Sequence, residues 1–406
     1  MHCLDNTADA RVENQIDFRF WNIQALIVKV TQRCNLNCQY CYEKVSTHGD
    51  DMPVATFKKL VDSVLTSSVQ PKVLFIFHGG EPTLVPTEWY VEAVEYCNLK
   101  ASENNKIVSY ALQSNVLAIN PDKLTAFKEL RINVSVSVDG PLIINKTTLR
   151  GQDDLTIRNI KKLKALGLNI GVLATINPIN YSRFPSIMEW LYDELGIKSL
   201  KANVMYAVGA GYNMPDLPDD NIYAAQEDIL NYMIDTKGKK VVETNLYLEI
   251  KRFLEQDRSV NKMSLCDDRV CGAGKRVFGV NLKGELLPCG RFEWNDEKFK
   301  LGDLDDVKDL EAIEDFKTSV SEFHDQNPET WLDCNKCEAK RVCRYSCQAF
   351  IVRSRTKRNV ECIAMKKKYK FFLNHREELL EIYNNVNAKS ENCKFEDDQY
   401  LTELLN

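Results

Sequence analysis

The chain has 406 residues, which allows two or three domains and a large core. Apolar residues make up 44% and charged residues 27%, an ordinary globular balance, and the net charge of −5 argues against a nucleic-acid binder, whose domain is usually basic. No run approaches the roughly 18 apolar residues that cross a bilayer. The opening MHCLDNTADARVENQ lacks the apolar stretch of a signal peptide, so the expected location is the cytoplasm, with no membrane partner. Fourteen cysteines are many for that compartment, where clustered thiols bind metal or do chemistry rather than pair as disulfides.

From Ala25 onward, short runs rich in Val and Ile alternate with amphipathic segments. The runs are Ala25–Val30, Val73–Phe77, Ile107–Leu112, Val134–Val138, Ile170–Ile176 and Leu200–Ala207. Each is nearly continuous, as expected of a strand buried on both faces. Helices are expected over Ala55–Ser67, Glu88–Lys100, Pro121–Leu130, Leu155–Leu166 and Phe184–Leu195, with Pro121 at a first helical position and Gly167 and Gly196 as stops. Six strand–helix units in series favour parallel pairing. A full barrel has eight units, so the fold class is α/β, a partial (β/α)6 barrel of the TIM type. Its reactive groups belong at the C-terminal strand ends.

The segment Gly209–Asn221 (GAGYNMPDLPDDN) reads as a loop or boundary. Asn221–Lys237 and Thr244–Gln256 read as helices, Leu265–Cys362 is cysteine-rich, and Ala364–Asn385 reads as a closing helix with Tyr369, Phe372, Leu379 and Tyr383 buried. The polar tail after Asn385 is expected to fray. The domains are therefore 1–24, an extension; 25–208, the barrel; 209–265, loop and linking helices; 266–362, the cysteine-rich domain; and 363–406, closing helix and tail.

All but three cysteines fall into two groups; Cys3, Cys97 and Cys393 read as structural thiols. The first group lies in Thr31–Glu43 (TQRCNLNCQYCYE), directly after the first strand, with Cys34, Cys38 and Cys41 spaced C-x3-C-x2-C. Three thiolates can hold three irons of a [4Fe–4S] cluster and leave the fourth open to a substrate. By spacing alone, a zinc site lacking one ligand is the alternative.

With Tyr40 just before the third cysteine, this motif resembles the signature of the radical S-adenosylmethionine (SAM) superfamily. Further elements match in order. HGGEPTL at His78–Leu84 resembles the family's Gly-Gly-Glu-Pro motif, so Gly79, Gly80, Glu81 and Pro82 are expected to hold the SAM amino group. QSN at Gln113–Asn115 resembles the polar Thr-Asn position, which implies contacts from Ser114 and Asn115; here Ser replaces Thr and Val116 replaces a common Gly. SVDGP at Ser137–Pro141 implies that Ser137 and Asp139 lie near the SAM ribose and carboxylate, and Arg150 stands where the family often pairs an Arg with that carboxylate. The resemblance covers residues 25–208. It implies reductive cleavage of SAM to a 5′-deoxyadenosyl radical that takes hydrogen from a substrate, with a reductant such as flavodoxin or ferredoxin as partner.

The second group is Cys266, Cys271, Cys289, Cys334, Cys337, Cys343, Cys347 and Cys362. Eight cysteines make two ligand quartets, and zinc is again an alternative on spacing. Beside such a first domain, residues 266–362 resemble a SPASM domain, the auxiliary-cluster module of peptide-modifying radical SAM enzymes. The family's order implies one cluster on Cys266, Cys271, Cys289 and Cys347 and another on Cys334, Cys337, Cys343 and Cys362. The implied cofactors are SAM and three [4Fe–4S] clusters.

The function expected is a maturase that cross-links a ribosomally made precursor peptide, with a carbon–carbon cyclophane at an aromatic residue favoured over a thioether. The short N-terminus resembles the maturases that make small cyclophanes. Anaerobic sulfatase-maturing enzymes look similar in both halves, but they place an Asp base directly after the cysteine matching Cys289, where this chain has Gly290. An iron–sulfur electron carrier would need no SAM pocket. The basic stretch Lys340–Lys370, with Arg353, Arg355, Lys357, Arg358 and Lys366–Lys368, reads as a solvated face rather than a nucleic-acid site, or as a surface for an acidic peptide. Only 24 residues precede the first strand, too few for the N-terminal leader-binding module of many relatives. Leader recognition is expected from the barrel mouth, the Gly209–Asn221 loop and the cysteine-rich surface, or from a separate protein.

Overall fold

The computed structural model describes residues 18–43, 45–141, 149–151, 154–168, 170–255, 271–306, 332–343, 346–355 and 359–392. The six expected runs form β1 (Ala25–Thr31), β2 (Lys72–Gly79), β3 (Ile107–Ser114), β4 (Ile132–Ser137), β5 (Ile170–Ile176) and β6 (Ser199–Val204). Helices Val54–Ser67, Thr87–Glu103, Pro121–Glu129, Asp154–Ala165 and Phe184–Asp193 connect them. Asn120 caps the third of these, its side chain accepting from the Lys123 amide, with Pro121 in the first turn.

The strands pair in parallel in chain order, and among the described residues the sheet stays open. Four strands were not predicted. β7 (Val242–Glu243) follows β6; β8 (Val277–Val280) pairs in parallel with β1; β9 (Glu285–Leu287) and β10 (Gly302–Asp303) add antiparallel. Each is too short to carry a period-two signal. Their register puts the start of the cysteine-rich region into the barrel's own sheet, with Ala25 opposite Val277 and Val28 opposite Val280.

β1 is buried on both faces, as its apolar run suggests, with only Ile27 half-buried; β2 and the ends of β5 and β6 are not. On β2, Phe75 and Phe77 are fully buried against Phe57 and Trp89 of the helices, while Leu74, Ile76 and His78 between them are only half-buried. The same alternation runs through the ends of β5 and β6. The outer face is a close-packed core, and the half-buried side chains of β2, β5 and β6 lie on the inner face, beneath the barrel mouth where such folds take their ligands.

Helices Asp219–Asp235 and Thr244–Glu255 follow the barrel strands. The expected closing helix is two helices, Cys362–Asn374 and Arg376–Asn392, broken at His375, whose ring stacks on Phe371. The break lets the second helix bury Leu379 and Ile382 and bring Tyr383 to Glu255 at 2.6 Å. Phe372 is buried, whereas Tyr369 and Tyr383 are half-buried. Helix continues past Asn385; the tail from 393, with Cys393, lies outside the described residues, as do Cys3 and Cys266. Cys97 is fully buried, and burial pushes its thiol up to about 12, in keeping with a structural role. Among the described residues no helix is long and apolar enough to cross a membrane.

The basic stretch is not wholly a solvated face. Lys368 is buried, donating to Glu249 at 2.6 Å, and the Arg353 side chain is 6% exposed; Lys366 and Lys367 are exposed; Lys357 and Arg358 lie outside the described residues.

Candidate active site at the barrel mouth

The Cys34–Cys41 loop leaves β1 and is held down by the strand beside it. The Gly80 amide donates to the Thr31 carbonyl at 2.8 Å and the Glu81 amide to Arg33 at 2.7 Å, so strand pairing runs past the end of β2. A Cβ at Gly80 would lie 2.1 Å from the Arg33 carbonyl oxygen; one at Gly79, whose φ is +115°, would lie 2.5 Å from that of Thr31. From the other side, Gly209 sits where a Cβ would meet the Cys41 carbonyl at 2.5 Å, and the Ala210 amide donates to that carbonyl at 2.8 Å. The Gly209–Asn221 loop is therefore part of the site's wall.

Glu81 is buried, with every carboxylate contact made inside the chain. Oε1 accepts from the Thr83 amide (2.9 Å), the Thr83 hydroxyl (2.5 Å) and the Ser114 hydroxyl (2.6 Å), and Oε2 accepts from the Asn115 amide (2.7 Å). Burial pushes its carboxyl above the usual range, against these hydrogen bonds. Glu81, Ser114 and Asn115 thus tie the ends of β2 and β3 together, and Asn115 also donates to Asn35 of the cysteine loop at 2.8 Å. Pro82 is buried and opens a short turn, Pro82–Leu84. Across the mouth, Tyr40 donates to Asp139, Arg150 donates to the Tyr40 oxygen at 3.0 Å, and Arg150 lies 3.7 Å from Asp139. Asp139 is fully buried and also accepts from the Thr175 amide at 3.0 Å. Ser137 accepts from Gln113 at 2.5 Å.

Burial raises the pKa of Cys34 and Cys41, and the nearby Cys38 raises both further. The Cys34 thiol is pushed up to about 11 and the Cys41 thiol up to about 12. Such thiols are poor nucleophiles at neutral pH; iron binding would displace their protons and satisfy the buried charge. Among the described residues, no three Cys, His, Asp or Glu side chains converge tightly enough for one metal ion. A cluster asks less convergence, since it takes one thiolate per iron. The donor set, three soft thiols on one loop beside a glycine-lined strand end, fits a cluster with one protein-free iron.

Three site residues were not predicted in any role: Tyr42, His78 and Arg291. The Gly79 amide donates to His78 Nδ1 at 2.8 Å, so the neutral ring carries its proton on Nε2, 3.2 Å from the Tyr42 hydroxyl oxygen. The Arg291 guanidinium lies over the Tyr42 ring at 5.6 Å and the Phe350 ring at 4.8 Å. Burial, and then the Lys29 and Arg291 charges, hold the His78 pKa down at about 3. Below pH about 6.5 the unfolded chain binds a proton here that the folded chain refuses until about 3. Stability should therefore fall with pH through that window, and His78→Gln should fall less. Urea midpoints of the two proteins at pH about 7 and about 5 check this.

In the cysteine-rich region, Cys271, Cys289 and Cys347 border one small apolar cluster of Ala273, Leu287, Phe292, Ala349 and Val352. Cys337 and Cys343 pack on the main core, as Cys347 also does, and Cys334 and Cys362 are half-buried.

Residues 28–191 match the family model described as the Radical SAM superfamily. That segment is a radical SAM domain and the chain is an enzyme; such a domain implies SAM and a [4Fe–4S] cluster as cofactors. It is 26% identical over 352 residues to a cysteine-type anaerobic sulfatase-maturating enzyme of Clostridium perfringens, covering 80% of this chain and 89% of that one. Its fold is similar to that of anSMEcpe with bound AdoMet, with a TM-score of 0.74, 20% identity, and 94% and 98% of the two chains covered. It is also similar to Streptococcus suis SuiB bound to its precursor peptide SuiA, with a TM-score of 0.56, 14% identity, and 84% and 76% covered.

Proposed function

We propose that this enzyme is a maturase that cross-links a ribosomally made precursor peptide, closing a carbon–carbon cyclophane at an aromatic residue. The observation that carries the reading against sulfatase maturation is at Gly290. A Cβ there would lie 2.3 Å from Ile27 Cγ2 and 2.7 Å from Ile27 Cβ, and on the far side Gly279 presses on the Cys289 carbonyl, where a Cβ would sit at 2.5 Å. The position directly after Cys289 is filled by a β1 side chain, so no carboxylate base fits there. The likeness to peptide-bound SuiB and the half-buried lining of the barrel support a peptide substrate.

SAM and its cluster supply the hydrogen-abstracting 5′-deoxyadenosyl radical when bound. The chain's part is to hold them: Cys34, Cys38 and Cys41 as iron ligands; Tyr40, Gly79, Gly80, Glu81, Pro82, Ser114, Asn115, Ser137, Asp139 and Arg150 as the surrounding pocket. The grouping of Cys271, Cys289 and Cys347 around one apolar cluster supports a quartet completed by Cys266, and leaves Cys334, Cys337, Cys343 and Cys362 for the other. Anaerobically reconstituted protein is then expected to carry about twelve irons. Stoichiometric zinc in the C-terminal region would sink the assignment.

A second reading, oxidation of a Cys or Ser in a sulfatase, draws on the match to the C. perfringens enzyme. Mass spectrometry separates the two. A cysteine-free peptide that loses two hydrogens, with fragmentation blocked between an aromatic residue and a near neighbour, is the cyclophane result. Loss of an alkylatable thiol, or oxidation of a sulfatase-derived peptide, would overturn it.

A further inference from the structure

Two buried cations stand between the cysteine segments, and nothing in the proposed reaction uses them. Lys29 is the one charged residue in the Ala25–Thr31 strand, and its side chain is 1% exposed. Its Nζ donates to the Glu43 carboxylate, two residues past Cys41, and to the Phe292 carbonyl, three residues past Cys289. Arg353 closes the helix Gln348–Arg353, which Cys347 caps, and its side chain is 6% exposed. Its guanidinium donates to the Arg291 carbonyl and, at 3.4 Å, to the Tyr42 carbonyl, and it pairs with Glu293 at 2.7 Å and Asp296 at 3.3 Å. The Lys29–Phe292 link and all four Arg353 links join different segments, and the Lys29–Glu43 link ties β1 to the far end of the cysteine loop.

We propose that Lys29 and Arg353 are positioning residues that lock the loop carrying Cys41 to the segments carrying Cys289 and Cys347, and so fix how the SAM-binding cluster faces the auxiliary cluster on Cys289 and Cys347. The inference rests on the reading that both cysteine groups hold iron. Buried ion pairs are poor stabilisers, because desolvation offsets most of their attraction, yet they define one geometry. Here each cation also takes backbone carbonyls that an apolar residue could not. The two buried ion pairs beside the cysteine loops also act on cluster potential through their dipoles and the hydrogen bonds they fix around the loops. Electron transfer between two centres depends steeply on their separation, so a lock between them is functional rather than merely cohesive.

The test uses the reconstituted full chain and two variants: Arg353→Met, and Lys29→Met with Glu43→Gln, which removes the charges together and so folds even if the first does not. Iron content, EPR-monitored midpoint potentials, and cross-linked product per 5′-deoxyadenosine are read on each. The expected result is full iron and continued SAM cleavage, with shifted auxiliary potential and product per 5′-deoxyadenosine lower by about tenfold or more. Lys29→Arg, which keeps the charge and its donors, should recover most of the ratio. Unchanged potentials and an unchanged ratio at full iron would overturn the proposal alone. Zinc, or iron for the first cluster only, in the parent protein would overturn the reading beneath it.

Discussion

Replacing Cys34, Cys38 and Cys41 together with alanine is expected to abolish 5′-deoxyadenosine formation while lowering iron from about twelve to about eight atoms per chain. The three thiols share one loop whose backbone is fixed from both sides: the Cys34 amide donates to Ser46 at 2.8 Å, the Cys41 amide to Cys38 at 3.0 Å, and the Cys41 carbonyl accepts from Ala210. The fold should survive, because these side chains are only half-buried and the core lies on the outer faces of the strands. Iron analysis, the EPR signal of the remaining clusters and the assay for 5′-deoxyadenosine read the three outcomes separately. Loss of all iron would mean that the C-terminal cysteines do not bind clusters of their own.

The six long strands and their helices were legible because burial writes itself into composition: a strand packed under helices must be apolar on that face. The strands β7–β10 were not, since two to four residues carry no period. The break at His375 was not, since no Gly or Pro marks it. The site was legible in the residues that a loop must supply: paired cysteines at fixed spacing, and glycines where backbones meet. What stayed hidden were groups defined by partners distant in sequence. Lys29 had a signal, a lone cation in the run ALIVKV, which can be buried only if paired. Arg353 had none, because a charge inside a basic stretch reads as surface until the fold turns it inward. Glu81 was found in its motif, but its hold on Ser114 and Asn115 depends on the neighbouring strand end.

Gly80→Ala is expected to cost about 3 kcal/mol or more in stability and to prevent loading of the first cluster. The added methyl would lie 2.1 Å from the Arg33 carbonyl oxygen, 2.7 Å from its carbon and 3.0 Å from the Gln32 carbonyl carbon, all backbone atoms. That backbone has little freedom to retreat. Arg33 is pinned by Asp51, with Nε–H donating at 3.0 Å, and by the Leu84 carbonyl at 3.1 Å, while Thr31 donates to Asp51 at 2.6 Å. Relief must therefore come from displacing Arg33, and Cys34 follows it directly. A control separates the clash from backbone strain: Gly167 has a left-handed φ, +75°, which Gly80 lacks, and a Cβ there meets nothing within 4 Å. Gly167→Ala should lose only about 1–2 kcal/mol, the ordinary penalty for that conformation, and should load iron fully. Urea midpoints and iron content of the two variants decide the matter. If Gly80→Ala matched Gly167→Ala in both, the contact between the end of β2 and the cysteine loop would not be what holds the first cluster's ligands in place.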